Sequence, residues 1–342
     1  MGNKFVWILA GLLAVGGAFF IVKITLFPSP SNPTRATTDP GRLELKLPEE
    51  PVTSVLPKEP DGAGNAADDY EIAFRNYNER KKSIRDVVGK YYDMLSLKTR
   101  PTDEEISRLK RVADPIRAAS GKKDMQYYFV KTPQVMASPY LPVEAADFQD
   151  VTTVPLMLAA YEFVQGKERY GEAEKYLFDI FIAGYHMLNE RARTEIVIRG
   201  IGLERLACAE LGKLYVAWGK PDRAAAVKKY DDGMMDFSST LREFDGDVIW
   251  VLTRPGDNIG PEPGDVSNLV LNHKDRCVRV DAVISLGMVK LGASNRGDVK
   301  RANELIKLKL DSPDPIERGA AKAAADMSKE DIAKLARAKR QR

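Results

Sequence analysis

The N-terminal part of the chain is set apart by its apolar side chains. Residues 5–22 form an unbroken run of uncharged, mostly apolar residues, and Ile24–Phe27 extends the run after Lys23. A helix of about 20 apolar residues is long enough to cross the hydrocarbon core of a bilayer. The pattern therefore predicts a transmembrane helix, a signal anchor within residues 1–27, that attaches the protein to the membrane.

The residues within and around this anchor bear on whether it is cleaved and how it is oriented in the membrane. Cleavage after Ala18 would leave a new N-terminus of four apolar residues, a poor start for a soluble protein, so we expect the anchor to stay uncleaved. Positive charges lie on both sides of the run and do not decide its orientation. A four-residue tail most simply stays in the cytoplasm. We therefore expect a single-pass membrane protein whose bulk is extracytoplasmic, in the periplasm or cell envelope.

Proline dominates the next segment. Eight of the 20 prolines lie between Pro28 and Pro60, and residues 61–69 add glycine and alanine. Such a composition does not bury enough apolar surface to fold. Residues 28–69 are therefore predicted to be a disordered linker. Residues 43–47, Leu-Glu-Leu-Lys-Leu, alternate apolar and charged side chains, which allows a short docking segment, although alternation over five residues is common.

A helical pattern begins at residue 70 and marks a helical body over residues 70–245. Its first helix carries apolar residues at alternating steps of four and three, with Lys81 as the polar exception. One interpretation is a coiled coil over residues 70–97 that makes a structural homo-oligomer. The other, which we favour because the stripe is short, is packing on the chain's own next helix. The stripe consists of Tyr70, Phe74, Tyr77, Ile84, Val88, Tyr91 and Leu95.

The second helix has a clear start. Thr102 and Glu105 have the spacing of a capping box, so this helix is predicted from Thr102 to about Ser120, where Gly121 ends it. Pro115 is expected to bend or break it, because proline lacks the backbone N–H of the helical hydrogen bond.

Residues 122–148 show no helical period, and the sequence predicts an irregular connector. Its aromatic residues either pin this connector to the body or line a groove for a partner. A non-motif active site near residues 127–140 is a further hypothesis. The candidate partner-binding residues are Tyr127, Tyr128, Phe129 and Tyr140.

Residues 151–230 are predicted to form three long helices and the start of a fourth. Gly166 separates the first two, and Gly219-Lys220-Pro221 ends the third. The third helix, residues 191–218, is apolar on two sides, so it should be covered on two sides and lie centrally. Its small residues, Gly200, Gly202, Ala207 and Gly212, should allow close approach of its neighbours.

The segment Leu214–Ala224 combines an aromatic residue, a glycine turn and small packing residues. In this it resembles tetratricopeptide repeats, and Tyr161–Ala173 is a looser copy. The two turns are 53 residues apart, whereas that family has a period of 34. The resemblance implies stacked helical hairpins, without implying that family's peptide groove.

The C-terminal part follows a Pro/Gly-rich seam over residues 246–272, whose acidic residues fit no EF-hand spacing. Residues 273–342 resemble HEAT repeats and end in a basic tail, which suits a helix C-terminus or an anionic partner. That resemblance implies that the aspartate caps a helix, the arginine braces the repeat and the alanine lets helices touch. Asp275, Val278, Arg279, Ala282 and Leu286 align with Asp314, Glu317, Arg318, Ala321 and Ala325 at an offset of 39.

The net charge and the small number of histidines and cysteines limit the ligands and reactions to be expected. The net charge of +3 gives no reason to expect nucleic acid as a partner, and with two histidines and two cysteines we expect no metal site and no cofactor. His273 and Cys277 are predicted to be structural, and Cys208 a buried thiol, with a disulfide to Cys277 as the alternative. No catalytic motif is present, and we expect no enzyme.

The fold class predicted is all-α, a helical-hairpin repeat domain of α-solenoid type behind the anchor and the proline-rich linker. Such folds offer extended surfaces and little buried chemistry. The expected function is therefore a membrane-anchored scaffold that binds or organises partner proteins in the cell envelope.

Overall fold

The computed structural model of this protein describes residues 55–95, 101–127, 147–235, 270–273, 275–293 and 295–330, and that part of the chain is mostly helical. The predicted transmembrane segment, residues 5–27, lies outside it. No helix within the described ranges combines the length and apolar character that a membrane span needs. Most of the predicted seam, residues 246–272, also lies outside the described residues.

Helices that follow one another in sequence pack as neighbours, and short turns join α3 to α4, α4 to α5, α5 to α6 and α8 to α9. The bounds are α1 Ala66–Leu95, α2 Asp103–Ser120, α3 Asp147–Gln165, α4 Tyr170–Glu190, α5 Thr194–Trp218, α6 over 221–235, α7 Arg276–Gly292, α8 Arg296–Leu310 and α9 Pro315–Asp326. A 3-10 turn, Lys167–Arg169, precedes α4.

Within the described ranges, two short strands accompany the helices. Strand β1, Gly62–Asn65, pairs in parallel with β2, Lys122–Asp124. The Asn65 side chain accepts hydrogen bonds from the backbone N–H groups of Ala67 and Gln126, at 3.1 Å and 3.0 Å, and so joins the start of α1 to the end of β2. The last part of the predicted linker, residues 62–69, therefore lies in β1 and the first turn of α1. The described residues are mostly helical, which is compatible with the predicted all-α class.

Helix α2 has the predicted capping box, because Thr102 Oγ1 accepts from the Glu105 N–H and the Glu105 carboxylate accepts from the Thr102 N–H. The helix is not broken at Pro115. Proline leaves the carbonyl of Arg111 without its helical donor, and Asn76 Nδ2 on α1 donates to that carbonyl at 2.9 Å. A neighbouring helix thus supplies the missing donor.

The apolar stripe of α1 faces the chain's own core as far as it is described. Tyr70, Phe74, Tyr77 and Ile84 are all buried. Tyr70 and Phe74 make edge-on ring contacts with Phe148 at the start of α3, at 4.9 Å and 4.8 Å between centroids. The side chains of Val88, Tyr91 and Leu95 lie outside the described part.

Helices α4 and α5 form the centre of the body. They cross at Gly184 and Gly200, where a Cβ on either glycine would come within 2.7 Å of the other's carbonyl oxygen. Helix α5 is buried on two faces, as its two stripes predict. At its C-terminus Gly219 takes a left-handed φ of 75°, and the N–H of Lys220 donates to Tyr215 O at 2.8 Å.

The two C-terminal segments related by the offset of 39 have the same local geometry. Asp275 caps α7 and Asp314 caps α9 through their side chains. Arg279 Nη1 donates to the carbonyl oxygen of the residue two before the cap, at 2.7 Å, and Arg318 Nη1 does the same at 2.6 Å. The equal spacing in sequence thus corresponds to equal geometry.

Candidate functional site

Helices α3, α4 and α5 leave a shallow apolar cleft between them. Its volume is about 30 Å³, against the ~10–15 Å³ that one water needs, so it suits a single apolar side chain better than a bound cofactor. It is lined by Leu156, Ala159, Ala160, Phe163, Ala173, Leu177, Glu210, Lys213 and Leu214.

The cleft exists because small residues lie between larger ones. Leu156, Ala160 and Phe163 are four and three residues apart and so share one face of α3. Alanine at positions 160 and 173 leaves space that a larger side chain would fill. Leu156 and Phe163 are only partly buried, so apolar surface remains accessible at the walls.

One ion pair forms the polar wall of the cleft. Lys213 Nζ donates to Glu210 Oε1 at 2.7 Å, and the glutamate side chain is only 7% exposed. Burial raises the pKa of Glu210, and the charge of Lys213 opposes that effect. The pair leaves the wall close to neutral, which favours an apolar ligand over a strongly charged one.

An aromatic cluster lies beside the cleft and joins the two turns noted in the sequence. Phe163 stacks on Tyr170, with centroids 5.0 Å apart and planes 8° apart, and Tyr170 meets Trp218 edge-on. The ammonium of Lys220 lies over the Trp218 ring. The turns at Gly166 and Gly219 therefore meet at one end of the hairpins.

A buried carboxylate ties α4 to α2. Asp179 accepts from Ser120 Oγ at 2.7 Å and from Arg117 Nε at 3.0 Å. Burial raises the pKa of Asp179 to about 6, although the Arg117 charge acts in the opposite direction. The carboxylate thus links the two helices through both of its oxygens.

His186 lies about two turns along α4 from Asp179 and has different partners. Its Nδ1 is 2.9 Å from the Tyr70 hydroxyl, and its Nε2 is 2.7 Å from the carbonyl oxygen of Lys122 in β2. Burial lowers the pKa of His186 to about 4, so the ring is neutral at pH 7. Both ring nitrogens of His186 have hydrogen-bond partners other than Ser120 or Asp179, so His186 is not placed to take a proton from Ser120. Ser120, His186 and Asp179 therefore do not form a catalytic triad.

A second polar cluster joins α5 to α7. Arg193 Nε donates to Asp281 Oδ1 at 2.8 Å, and both side chains are buried. Asp281 Oδ2 accepts from the backbone N–H of Thr194 at 2.8 Å and from its hydroxyl group. This carboxylate therefore caps the start of α5 and fixes it to α7.

The His273–Cys277 pair is organised by the cap of α7. Asp275 Oδ1 accepts from the N–H and the Sγ of Cys277, and His273 Nδ1 accepts from the Asp275 N–H at 3.0 Å. Cys208 and Cys277 are both buried and free, so they form no disulfide. Burial raises the pKa of both thiols, which keeps them protonated at pH 7.

The aromatic residues singled out from the connector are only partly described. Tyr127 is buried and makes edge-on contacts with Phe74 and Phe148, at 5.1 Å and 5.2 Å. Tyr128, Phe129 and Tyr140 lie outside the described residues. The cleft was not predicted, because it depends on how three helices cross, although Leu156, Phe163 and Leu214 belong to helices that the periodicity identified.

Comparison of the chain with protein-family models, with curated proteins and with solved structures gives no match.

Proposed function

We propose that this protein is a helical-repeat scaffold, anchored to the membrane through residues 5–27, that binds an apolar segment of a partner protein in the α3–α4–α5 cleft. The observation that carries the proposal is the cleft itself. It combines accessible apolar walls at Leu156 and Phe163 with a neutral polar wall formed by Glu210 and Lys213.

The surrounding architecture supports a binding role. Stacked hairpins of tetratricopeptide type in the centre and HEAT type at the C-terminus would present such a cleft on a rigid support. The rigidity has a local cause in the glycine crossing of α4 and α5 and in the Arg193–Asp281 pair that joins α5 to α7. The buried polar groups described above hold helices together.

A photo-crosslinking experiment tests the proposal. Benzoylphenylalanine replaces Phe163 in the full-length chain, which is irradiated in the cells that produce it. We expect a covalent adduct with a second polypeptide. Adding Ala160→Leu, which fills the cleft with a good helix former, should reduce this adduct several-fold, because the apolar segment then has no space to enter.

The matched control is Ala225→Leu. This is the same change on α6, at an exposed position that does not line the cleft. It should leave the adduct unchanged. An adduct that is insensitive to Ala160→Leu, or no intermolecular adduct at residue 163, would contradict the proposed binding site.

A further inference from the structure

The chain enters the folded body beside the cleft. The carbonyl oxygen of Val55 lies 3.1 Å from the Tyr215 hydroxyl, which is also 2.7 Å from Glu174 Oε1. Val55 is only 4% exposed, and the neighbouring Leu56 packs against the core. The end of the proline-rich linker, called the tether from here on, is therefore packed against Tyr215 near the end of α5 before the chain reaches β1.

These contacts place the entry point on a helix face next to the one that lines the cleft. Leu214 and Ala173 line the cleft and directly precede Tyr215 and Glu174. Successive residues of a helix point about 100° apart, so the chain has to pass around α5 to reach the cleft.

Two other points of the described chain lie near the cleft and lead into segments outside the description. Residue 147, where α3 begins, is nine residues or ~14 Å along the helix from Leu156. On α6, Asp231 pairs with Arg205, five residues before Glu210. The segments that join these two helices to the rest of the chain, residues 128–146 and 236–269, are therefore the alternative occupants that the test must distinguish.

The segment that precedes Val55 is long enough to reach the cleft. Leu47 is eight residues before Val55, and eight extended residues span up to ~26 Å. A helix with its side chains is ~10–12 Å across. The chain from Val55 can therefore pass around the end of α5 and place residues 43–47 against the cleft.

Within the tether, the large apolar residues cluster in one short segment that could fill the cleft. Between residues 28 and 54 the large apolar residues are Leu43, Leu45, Leu47 and Val52. In an extended chain the three leucines point to the same side and Glu44 and Lys46 to the other. That arrangement matches a cleft that accepts an apolar side chain and whose own charges, Glu210 and Lys213, are already paired.

We infer that residues 43–47 of the chain's own tether occupy the α3–α4–α5 cleft when no partner is bound, so that a partner must displace them. The inference rests on the proposed function of the cleft and adds that residues 43–47 compete with the partner for it. Because the tether is covalently attached, its effective concentration is high, and even a weak leucine contact reduces the fraction of open clefts. Removing the leucines should therefore strengthen partner binding.

The test uses purified full-length protein in detergent, without a partner, with benzoylphenylalanine at position 163. Irradiation followed by peptide mass spectrometry should find an intramolecular adduct between residue 163 and the peptide that contains residues 43–47. The same probe at Val216, which is 65% exposed on α5 and does not line the cleft, should not give that adduct. The combined variant Leu43→Ser, Leu45→Ser, Leu47→Ser should abolish it, and in cells should raise the intermolecular adduct at residue 163 at least twofold.

The outcomes separate this inference from the proposed function. An intermolecular adduct in cells that depends on Ala160, together with no adduct to residues 43–47 in the purified protein, overturns the self-docking and keeps the binding site. Adducts from residue 163 to residues 128–146, to residues 236–269 or to a second copy also overturn it. An adduct to residues 43–47 that the serine variant removes supports it, even if no partner is captured.

Discussion

Replacing Gly200 by alanine tests how the centre of the body is built. A Cβ at Gly200 would lie 2.7 Å from the carbonyl oxygen of Gly184, 3.0 Å from Met187 Cβ and 3.1 Å from the backbone nitrogen of Leu188. Two of these atoms belong to the backbone of α4, which cannot rotate away as the end of a side chain can. The two helices must therefore move apart before the methyl group fits.

Two opposing effects set the magnitude. In a helix interior alanine is favoured over glycine by ~1 kcal/mol. Adding a methyl group to a tightly packed contact costs ~1–3 kcal/mol, and we expect the upper end here because backbone atoms are involved. Gly200→Ala should therefore lower the free energy of unfolding by about 2 kcal/mol.

Gly202 provides the matched control on the same helix. A Cβ there has no heavy atom within 4 Å, so Gly202→Ala should gain the helix propensity alone, ~0.5–1 kcal/mol. The two variants should thus differ by about 3 kcal/mol. Thermal unfolding of the full chain, followed by circular dichroism at 222 nm, should show a lower Tm for Gly200→Ala and a slightly higher Tm for Gly202→Ala than for the parent. Equal increases in Tm for both variants would refute the close crossing.

Three further predictions concern buried polar groups and thiols. Asp281→Ala should lower the free energy of unfolding by ~3–5 kcal/mol in denaturant titrations, because it leaves the buried Arg193 without this carboxylate. Asp179 has a native pKa of about 6 against ~3.9 in the unfolded chain, so its contribution to stability should fall as pH rises from 4 to 6 and stay level above that. Asp179→Asn should remove this part of the pH dependence of the unfolding free energy. Cys208 and Cys277 should react with a thiol reagent at pH 7 only after unfolding, when two thiols per chain become titratable.

Each of these three predictions would be contradicted by a specific result. Asp232→Ala removes an exposed carboxylate paired with Lys228 and should lower the free energy of unfolding by under ~1 kcal/mol. An equally small loss for Asp281→Ala would contradict the stabilising role of the buried Arg193–Asp281 pair. Parallel pH–stability profiles for the parent and Asp179→Asn would show that the Asp179 pKa is not raised. Rapid reaction of either cysteine in the native protein would show that its thiol is accessible.

Local sequence patterns predicted the helices well. The Thr102 capping box and the Gly219 turn depend on residues a few positions apart, and both have the predicted geometry. The two buried faces of α5 follow from its own periodicity. The offset of 39 predicted that Asp275 and Asp314 are equivalent caps, and each caps its helix through its side chain.

Features that depend on distant pairing were not predicted. Strands β1 and β2 lie about 60 residues apart in sequence, are three to four residues long, and carry no alternating pattern, so propensity does not reveal them. The donor that Asn76 supplies to the Arg111 carbonyl beside Pro115 comes from another helix. The cleft likewise depends on the crossing of three helices, and Gly200 was singled out for close approach while its partner Gly184 was not.

The contact between Val55 and Tyr215 changes how the body would be suspended. In the membrane-anchored arrangement proposed above, the free spacer ends at residue 54 rather than 69, so its greatest length is about 27 residues at ~3.1 Å each, or ~80 Å. The attachment point lies at Tyr215 on the central helix α5, so tension on the spacer would act on the middle of the body rather than on its first helix, α1. With residues 43–47 docked, the spacer would shorten to residues 28–42, at most ~45 Å, and the body would be held closer to the bilayer.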